Sequence, residues 1–302
     1  MDFTLYAHLN GMVHRDGWEK TARYARERGF SSVEFLNGCN PAGTHIPASV
    51  EEAGRIRRIL ESNGLRAACC SVGETFLGDD GAKEEMLREH IRRAAAIGSP
   101  YLHHTLILHL TLQPGAPTYE EVLAPMADLA ARTARYARTL GVRCLYEPQG
   151  MYFNGRRGFG EFYRAVRQQT DNVGICADVG NPMFADDDVL GILADFPGEV
   201  YHVHVKDYRR IAVPEEGVKC YPTRDGAYLR ETVVGEGDVN FAEVMRLLCA
   251  AGYRGAFAME NTHPEPWEDG VRTAMELLKR YEFTYKEKHD ANRIDCTPRG
   301  RH

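Results

Sequence analysis

Four residues carry the chemistry this chain can be expected to perform. Each closes a short apolar run: Leu-Tyr-Glu147-Pro, Cys-Ala-Asp178-Val-Gly, Val-His204-Val-Lys-Asp and Ala-Met-Glu260-Asn. A carboxylate or imidazole at the end of such a run lies at the edge of a core, where burial without a partner is costly. Taken singly, a strand-end Asp caps the next helix and a Glu pairs with a Lys. Three carboxylates and one imidazole facing a shared cavity are a different matter. They demand a cation, or at least one acid must keep its proton. Hard oxygen donors with one nitrogen suit Mn2+, Mg2+ or Co2+, admit Zn2+, and do not fit metals that need thiolate. One divalent ion, Mn2+ foremost, is therefore expected on Glu147, Asp178, His204 and Glu260.

Only a particular architecture makes four such ends converge. Apolar, strand-like runs occur at Phe3–His8, Ser32–Leu36, Arg66–Ser71, Tyr101–Leu108, Val142–Glu147, Val173–Asp178, Val200–Lys206 and Ala256–Glu260. Helical periodicity fits Trp18–Arg28, Val50–Asn63, Glu84–Ile97, Tyr119–Leu140, Phe159–Gln168, Asp187–Asp195, Phe241–Ala251 and Trp267–Tyr281. Gly29, Gly64, Gly98, Gly141 and Gly252 each stand where a helix should end before a strand. Strict alternation of eight strands with helices predicts an α/β fold, a single (β/α)8 TIM barrel over residues 1–282. In that fold the C-terminal strand ends share one cavity, which is where the four residues sit. Two segments stand outside the alternation. Asp207–Asn240 is too long for an ordinary connection and reads as functional. The polar, net basic tail 283–302 is expected either to be disordered or to clamp a neighbouring subunit.

Composition narrows the function further. At 43% hydrophobic and 26% charged residues, the 302-residue chain has the mass for a real core, which excludes disordered and fibrous classes. A net charge of −6 argues against a general phosphate-backbone binder. The arginine groups (Arg55, Arg57, Arg58; Arg92, Arg93; Arg132, Arg135, Arg138) are interspersed with acids and read as solvated helix faces. Of eight cysteines, Cys69, Cys70, Cys144 and Cys176 lie inside strand-like runs and read as small buried hydrophobes of a reducing compartment. The N-terminus lacks the basic and apolar regions of a signal peptide, and no membrane span is found, so a cytoplasmic location is expected.

Several stretches resemble the xylose-isomerase-like TIM-barrel superfamily of sugar isomerases and epimerases. They are Val33-Glu34-Phe35, Gly141-Val-Arg-Cys-Leu-Tyr-Glu147-Pro, Val173-Gly-Ile-Cys-Ala-Asp178-Val-Gly, Tyr201-His-Val-His204-Val-Lys206-Asp207 and Val234-Gly-Glu-Gly-Asp-Val-Asn-Phe241, followed by Ala251-Gly-Tyr-Arg-Gly255 and Met-Glu260-Asn. Within that superfamily the chain resembles ketose 3-epimerases and inosose dehydratases, and the likeness to the epimerases implies that Glu147, Asp178, His204 and Glu260 bind one metal and that Glu147 and Glu260 are also the catalytic acid/base pair. The implied reaction is isomerisation or epimerisation of a ketose-like polyol by α-proton abstraction through a metal-stabilised enediolate. The alternative is a lyase of the same fold, inosose-dehydratase-like or a C-glycoside-cleaving subunit. An endonuclease IV-type repair enzyme or a non-catalytic sugar-binding subunit ranks lower. Partners expected are a small sugar or polyol and further copies of the chain in a homodimer or homotetramer, with no nucleic acid and no membrane.

The sequence also departs from the epimerase pattern. Asn181 stands where those enzymes place a histidine, and Gln149–Asn154 offers amide and phenol groups where they have a second glutamate. Arg210 matches a substrate-binding arginine. Asn181, His8, Lys206 and His263 join it as candidates for the substrate pocket, with Glu34 near them. Lys206 and Asp207 could equally order the loop through a salt bridge. Of His103, His104 and His109, one is expected to reach the cavity, with His104 the candidate. His202 is expected to turn away from His204 and pack against the helices. Gly235-Glu-Gly237 reads as a tight turn rather than a phosphate loop.

Overall fold

The computed structural model describes residues 1–37, 47–75, 77, 81–107, 109–261 and 266–294, from 286 onward by backbone alone. Seven strands come first: β1 (Asp2–Leu5), β2 (Ser32–Asn37), β3 (Arg66–Val72), β4 (Tyr101–His104), β5 (Arg143–Tyr146), β6 (Val173–Asp178) and β7 (Val200–Val205). After β8 (Tyr208–Ile211), β9 (Cys220–Pro222) and β10 (Tyr228–Glu231), β11 (Ala256–Met259) completes the set. β1–β7 and β11 close into a parallel barrel in the order β1-β11-β7-β6-β5-β4-β3-β2, so the expected (β/α)8 barrel is what forms. Strands such as β6, Val-Gly-Ile-Cys-Ala-Asp, are buried along their whole length because the barrel interior covers one face and helices the other.

The helices are α1 (Leu9–Asp16), α2 (Trp18–Glu27), α3 (Val50–Ser62), α4 (Ala82–Ile97), α5 (Tyr119–Thr139), α6 (Arg156–Arg167), α7 (Leu190–Asp195), α8 (Phe241–Ala250) and α9 (Trp267–Ile294). Local sequence sets their ends. Ser49 caps α3 by accepting from the Glu52 amide, and Thr118 with Glu121 forms a reciprocal capping box on α5. Gly98 closes α4 in the left-handed conformation. Arg57, Arg92 and Arg132 pair with Glu61, Glu89 and Glu84 on outward faces, as expected of solvated surfaces. None of the six described cysteines is in a disulfide, and Cys69, Cys70, Cys144 and Cys176 are buried. Among the described residues no helix is long and apolar enough to cross a membrane.

Four features differ from expectation. α1 is an extra helix whose two turns bury only Leu9 and Met12, too brief a pattern to register as periodicity. The long 207–240 segment holds a three-stranded antiparallel sheet, β8-β10-β9, resting on a small apolar cluster of Phe184, Tyr208 and Leu229. The tail expected from 283 begins as helix, because α9 runs on to Ile294. His202 and His204 do not diverge: side chains alternate with period two along a strand, so residues two apart share a face. Both are buried on the inner side of β7, and both reach Glu34.

Candidate metal centre

Each cluster residue is delivered by a strand end. Asp178 closes β6, and one of its oxygens, Oδ1, accepts the amides of Gly180 (2.9 Å) and Asn181 (2.7 Å) to start the turn that follows. That leaves Oδ2 aimed inward. Glu147 follows β5 directly, and Glu260 follows β11, where its amide continues the ladder to the Val205 carbonyl. His204 lies on the inner face of β7.

Their inward atoms gather around His204: those of Asp178, His204 and Glu260 lie within 4.8 Å of one another, as do those of Glu147, Cys176 and His204. His204 Nδ1 is 3.2 Å from Glu147 Oε2, 3.2 Å from Glu260 Oε2 and 3.9 Å from Asp178 Oδ2. All four atoms are buried; Asp178 Oδ2 meets the Lys206 ammonium, and the other three make no hydrogen bond, in a protein interior where such atoms are almost always paired. Orphaned acceptors that converge are what a cation would satisfy, so the residues present fit a divalent ion. Lys206, two residues beyond His204 on the same face, places its ammonium 2.8 Å from Asp178 Oδ2, 3.0 Å from Glu260 Oε1 and 3.2 Å from Asn181 Oδ1.

Electrostatics agree with the geometry. Burial raises the Asp178 carboxyl to about 7; Lys206 pulls it down, but Glu260 and Glu147 add to the rise. Burial would also raise Glu147, yet His103 and His204 hold it well below the usual carboxylate range. Lys206 loses by burial and gains more from Asp178 and Glu260, so its pKa stands well above that of an ordinary lysine. Burial lowers the His204 pKa, but Cys176, Glu34 and Glu147 raise it well above that of an ordinary histidine. Three carboxyls thus face an ammonium and an imidazole that keeps its proton, and a divalent ion would take the place of protons held on His204 and Asp178.

A further layer lies behind His204. Glu34, on β2 and fully buried, meets His202 Nε2 at 2.7 Å and His204 Nε2 at 3.1 Å. Ser71 of β3 donates to Glu34 Oε1 at 2.6 Å, and its Oγ is 3.0 Å from His103 Nδ1. His103 Nε2 stands 3.3 Å from Glu147 Oε1. Tyr6 stacks on the His204 ring at 4.8 Å. Of this layer Glu34 is expected at the pocket from sequence, and of the three histidines around β4 it is His103, rather than the favoured His104, that reaches the cavity. Sequence reasoning misses His202, Ser71 and Tyr6. For His202 the signal is parity, since it stands two positions before His204 in an apolar strand.

The remaining candidates distribute unevenly. Asn181 and Lys206 belong to the cluster. His104 turns the other way from His103: its ring lies edge-on to Tyr146, 5.0 Å away, and Tyr146 in turn bonds the Ala130 carbonyl of α5. Burial lowers the His104 pKa to about 3, so it is a neutral side chain of the helix layer. His8 falls after β1, at the start of α1, and stacks on Trp267 at 4.2 Å. Arg210, on β8, is held by Asp186 at 2.5 Å and by Asp225. His263 lies outside the described residues. A cavity of about 290 Å³ opens at the opposite end of the barrel, among Tyr101, Phe196, Tyr201 and Tyr253, and contains none of the cluster.

Known proteins share this framework. The family model described as xylose isomerase-like TIM barrel matches residues 22–281. An inosose dehydratase of Yersinia enterocolitica is 30% identical over 132 residues, covering 42% of this chain and 43% of that protein. The chain thus aligns with less than half the length of the curated relatives it matches. A D-psicose 3-epimerase of Clostridium cellulolyticum H10, solved with D-tagatose, superposes with a TM-score of 0.72 at 12% identity over 93% of this chain and 99% of the other. A protein named IOLI, solved with a zinc atom, superposes with a TM-score of 0.71 at 15% identity over 94% and 99%. At such identities the likeness is one of fold.

Proposed function

The chain belongs to the xylose isomerase-like TIM-barrel family, and from that premise we propose that it is a metal-dependent sugar isomerase or epimerase acting on a ketose-like polyol. The observation that carries this reading is the pair Glu147 and Glu260, each with an unbonded oxygen 3.2 Å from His204 Nδ1, arriving from non-adjacent strands. Together with Asp178 and His204 they would hold the ion, which when bound supplies electrophilic stabilisation of charge developing on neighbouring substrate oxygens.

The protein's own groups do the rest. One glutamate removes the proton from the carbon beside the substrate carbonyl, and the other returns a proton to the opposite face, inverting that centre. Proton transfer by placed carboxylates contributes on the order of 10²–10⁴-fold. Lys206 holds Glu260 Oε1, and His103 stands against Glu147 Oε1, so both carboxylates keep their second oxygen toward the cavity. Asn181 and Lys206 are the polar groups best placed to meet substrate hydroxyls.

A second reading is favoured by the inosose dehydratase match: the same proton abstraction followed by loss of a β-hydroxyl. The deciding experiment is a screen of free and phosphorylated ketoses, inososes and C-glycosides with added Mn2+, Mg2+, Co2+ or Zn2+ in D2O. Deuterium entering recovered substrate or its epimer supports epimerisation; an enone or a released aglycone supports the lyase. Glu147→Gln and Glu260→Gln should each abolish turnover of the best substrate. Full activity in both refutes the paired-glutamate mechanism.

A further inference from the structure

We propose that Glu34 is a positioning residue that fixes which nitrogen of His204 faces the metal centre, and that Ser71 holds Glu34 in place and links it to His103, which stands against Glu147. The inference rests on the metal site proposed above and concerns how that site is held ready.

Glu34 has none of its surface exposed, so its carboxylate survives only if donors replace water. Three do. Ser71 Oγ–H donates to Oε1 at 2.6 Å, His204 Nε2 approaches Oε1 at 3.1 Å, and His202 Nε2 approaches Oε2 at 2.7 Å. An ionised carboxylate only accepts, so both imidazoles must carry their proton on Nε2. In neutral His204 that leaves Nδ1 as a lone pair, and Nδ1 is the atom pointing at Glu147, Asp178 and Glu260. A lone pair among three carboxylate oxygens is repulsive until an electrophile lies between them. Glu34 therefore sets the tautomer that can ligate, as an outer carboxylate does for a metal-bound histidine.

The contacts continue on the other side of the site. Ser71 has one proton and gives it to Glu34, so its oxygen accepts from His103 Nδ1 at 3.0 Å. His103 Nε2 then faces Glu147 Oε1 at 3.3 Å and Glu147 Oε2 faces His204 Nδ1 at 3.2 Å; neither nitrogen makes a hydrogen bond there, so these two contacts hold only when a proton or a cation lies between their atoms. Five side chains from β2, β3, β4, β7 and the end of β5 thus stand in a circuit around two of the four ligands: hydrogen bonds join His103, Ser71, Glu34 and His204, and Glu147 completes it by contact.

Glu34→Gln tests this with little change of shape. The amide can accept on one atom only, so one imidazole must shift its proton or lose its partner. Apo protein is titrated with Co2+ against a chromogenic chelator, and the visible absorption of bound Co2+ is recorded beside a metal-free melting curve. The expected result is a loss of Co2+ affinity of about 10–100-fold with an altered Co2+ spectrum. Ser71→Ala, which keeps every charge, should lose about 10-fold and serves alone if Glu34→Gln does not fold. Wild-type affinity and spectrum in the folded variants, even with a lowered melting temperature, would make Glu34 a mere core carboxylate and overturn the inference. Wild-type protein that takes up no Co2+ would instead bring down the metal site itself, and this inference with it.

Discussion

The substitution Asp207→Asn alters charge and hydrogen-bonding capacity with almost no change of shape, at the point where the barrel hands over to its accessory sheet. Asp207 is fully buried one residue after Lys206. Its Oδ1 accepts the amides of Tyr208 (2.9 Å) and Val239 (3.1 Å); its Oδ2 accepts those of Gly235 (2.8 Å) and Gly237 (2.9 Å). The fit is close: a Cβ on Gly237 would lie 2.1 Å from Oδ1, so only glycine lets the backbone approach. An asparagine side chain in this place can serve one pair of amides with its oxygen, while its NH2 confronts the other pair donor to donor. Two charge-assisted bonds are lost, each worth about 1.5–3 kcal/mol, for a total of roughly 3–6 kcal/mol. Against the roughly 5–15 kcal/mol that holds a typical domain, that is a large share. Urea unfolding measures the total, and amide hydrogen exchange locates it. Faster exchange should concentrate at Gly235, Gly237 and the β8–β10 sheet. A loss below about 1 kcal/mol, or exchange raised evenly over the barrel, would refute the view that this one carboxylate anchors the 207–240 segment.

Two further outcomes follow from the site. Because the Asp178 carboxyl is raised from 3.8 to about 7, the folded metal-free protein holds a proton that the unfolded chain has released. This group's contribution to stability is therefore present at low pH and lost as pH rises from 3.8 to about 7. A cation must displace the same proton, and the one that His204 keeps, so apparent metal affinity should fall by about tenfold or more per unit of pH below that midpoint. Calorimetric titrations across that range check the slope, and a flat profile contradicts it. Arg210→Ala should cost under about 1 kcal/mol, since the ion pairs with Asp186 and Asp225 are partly exposed. Its kcat and KM should stay within about twofold of wild type if those acids are its true partners. A roughly tenfold rise in KM would return Arg210 to the substrate pocket.

The barrel was legible because its signals are local. Apolar runs of strand length alternate with amphipathic helices, and glycines mark many of the turns. Most boundaries lie within a few residues of the observed ones; the exceptions are β4, which stops at His104, and α9, which runs on to Ile294 instead of ending at Tyr281. α1 and the β8–β10 sheet were not legible, since two helical turns and strands of three or four mixed residues carry too little periodicity to be told from loop. Asp207, which organises that loop, reads in sequence as one more acid beside a lysine.

Of the candidate centre, the sequence by itself determined which residues stand at strand ends: Glu147, Asp178, His204 and Glu260, with Lys206 beside them. Strand periodicity and apolar flanks suffice for that. It also held, unread, the parity that puts His202 with His204 and sets His103 apart from His104. What only the tertiary structure decided is which atoms meet. Glu34 and His204 are 170 residues apart in the chain, and their 3.1 Å contact exists because closure of the barrel brings β2 and β7 to face one interior. A side chain's type is local, but its partner, its tautomer and the charge it can keep when buried are set by whatever the fold places opposite it.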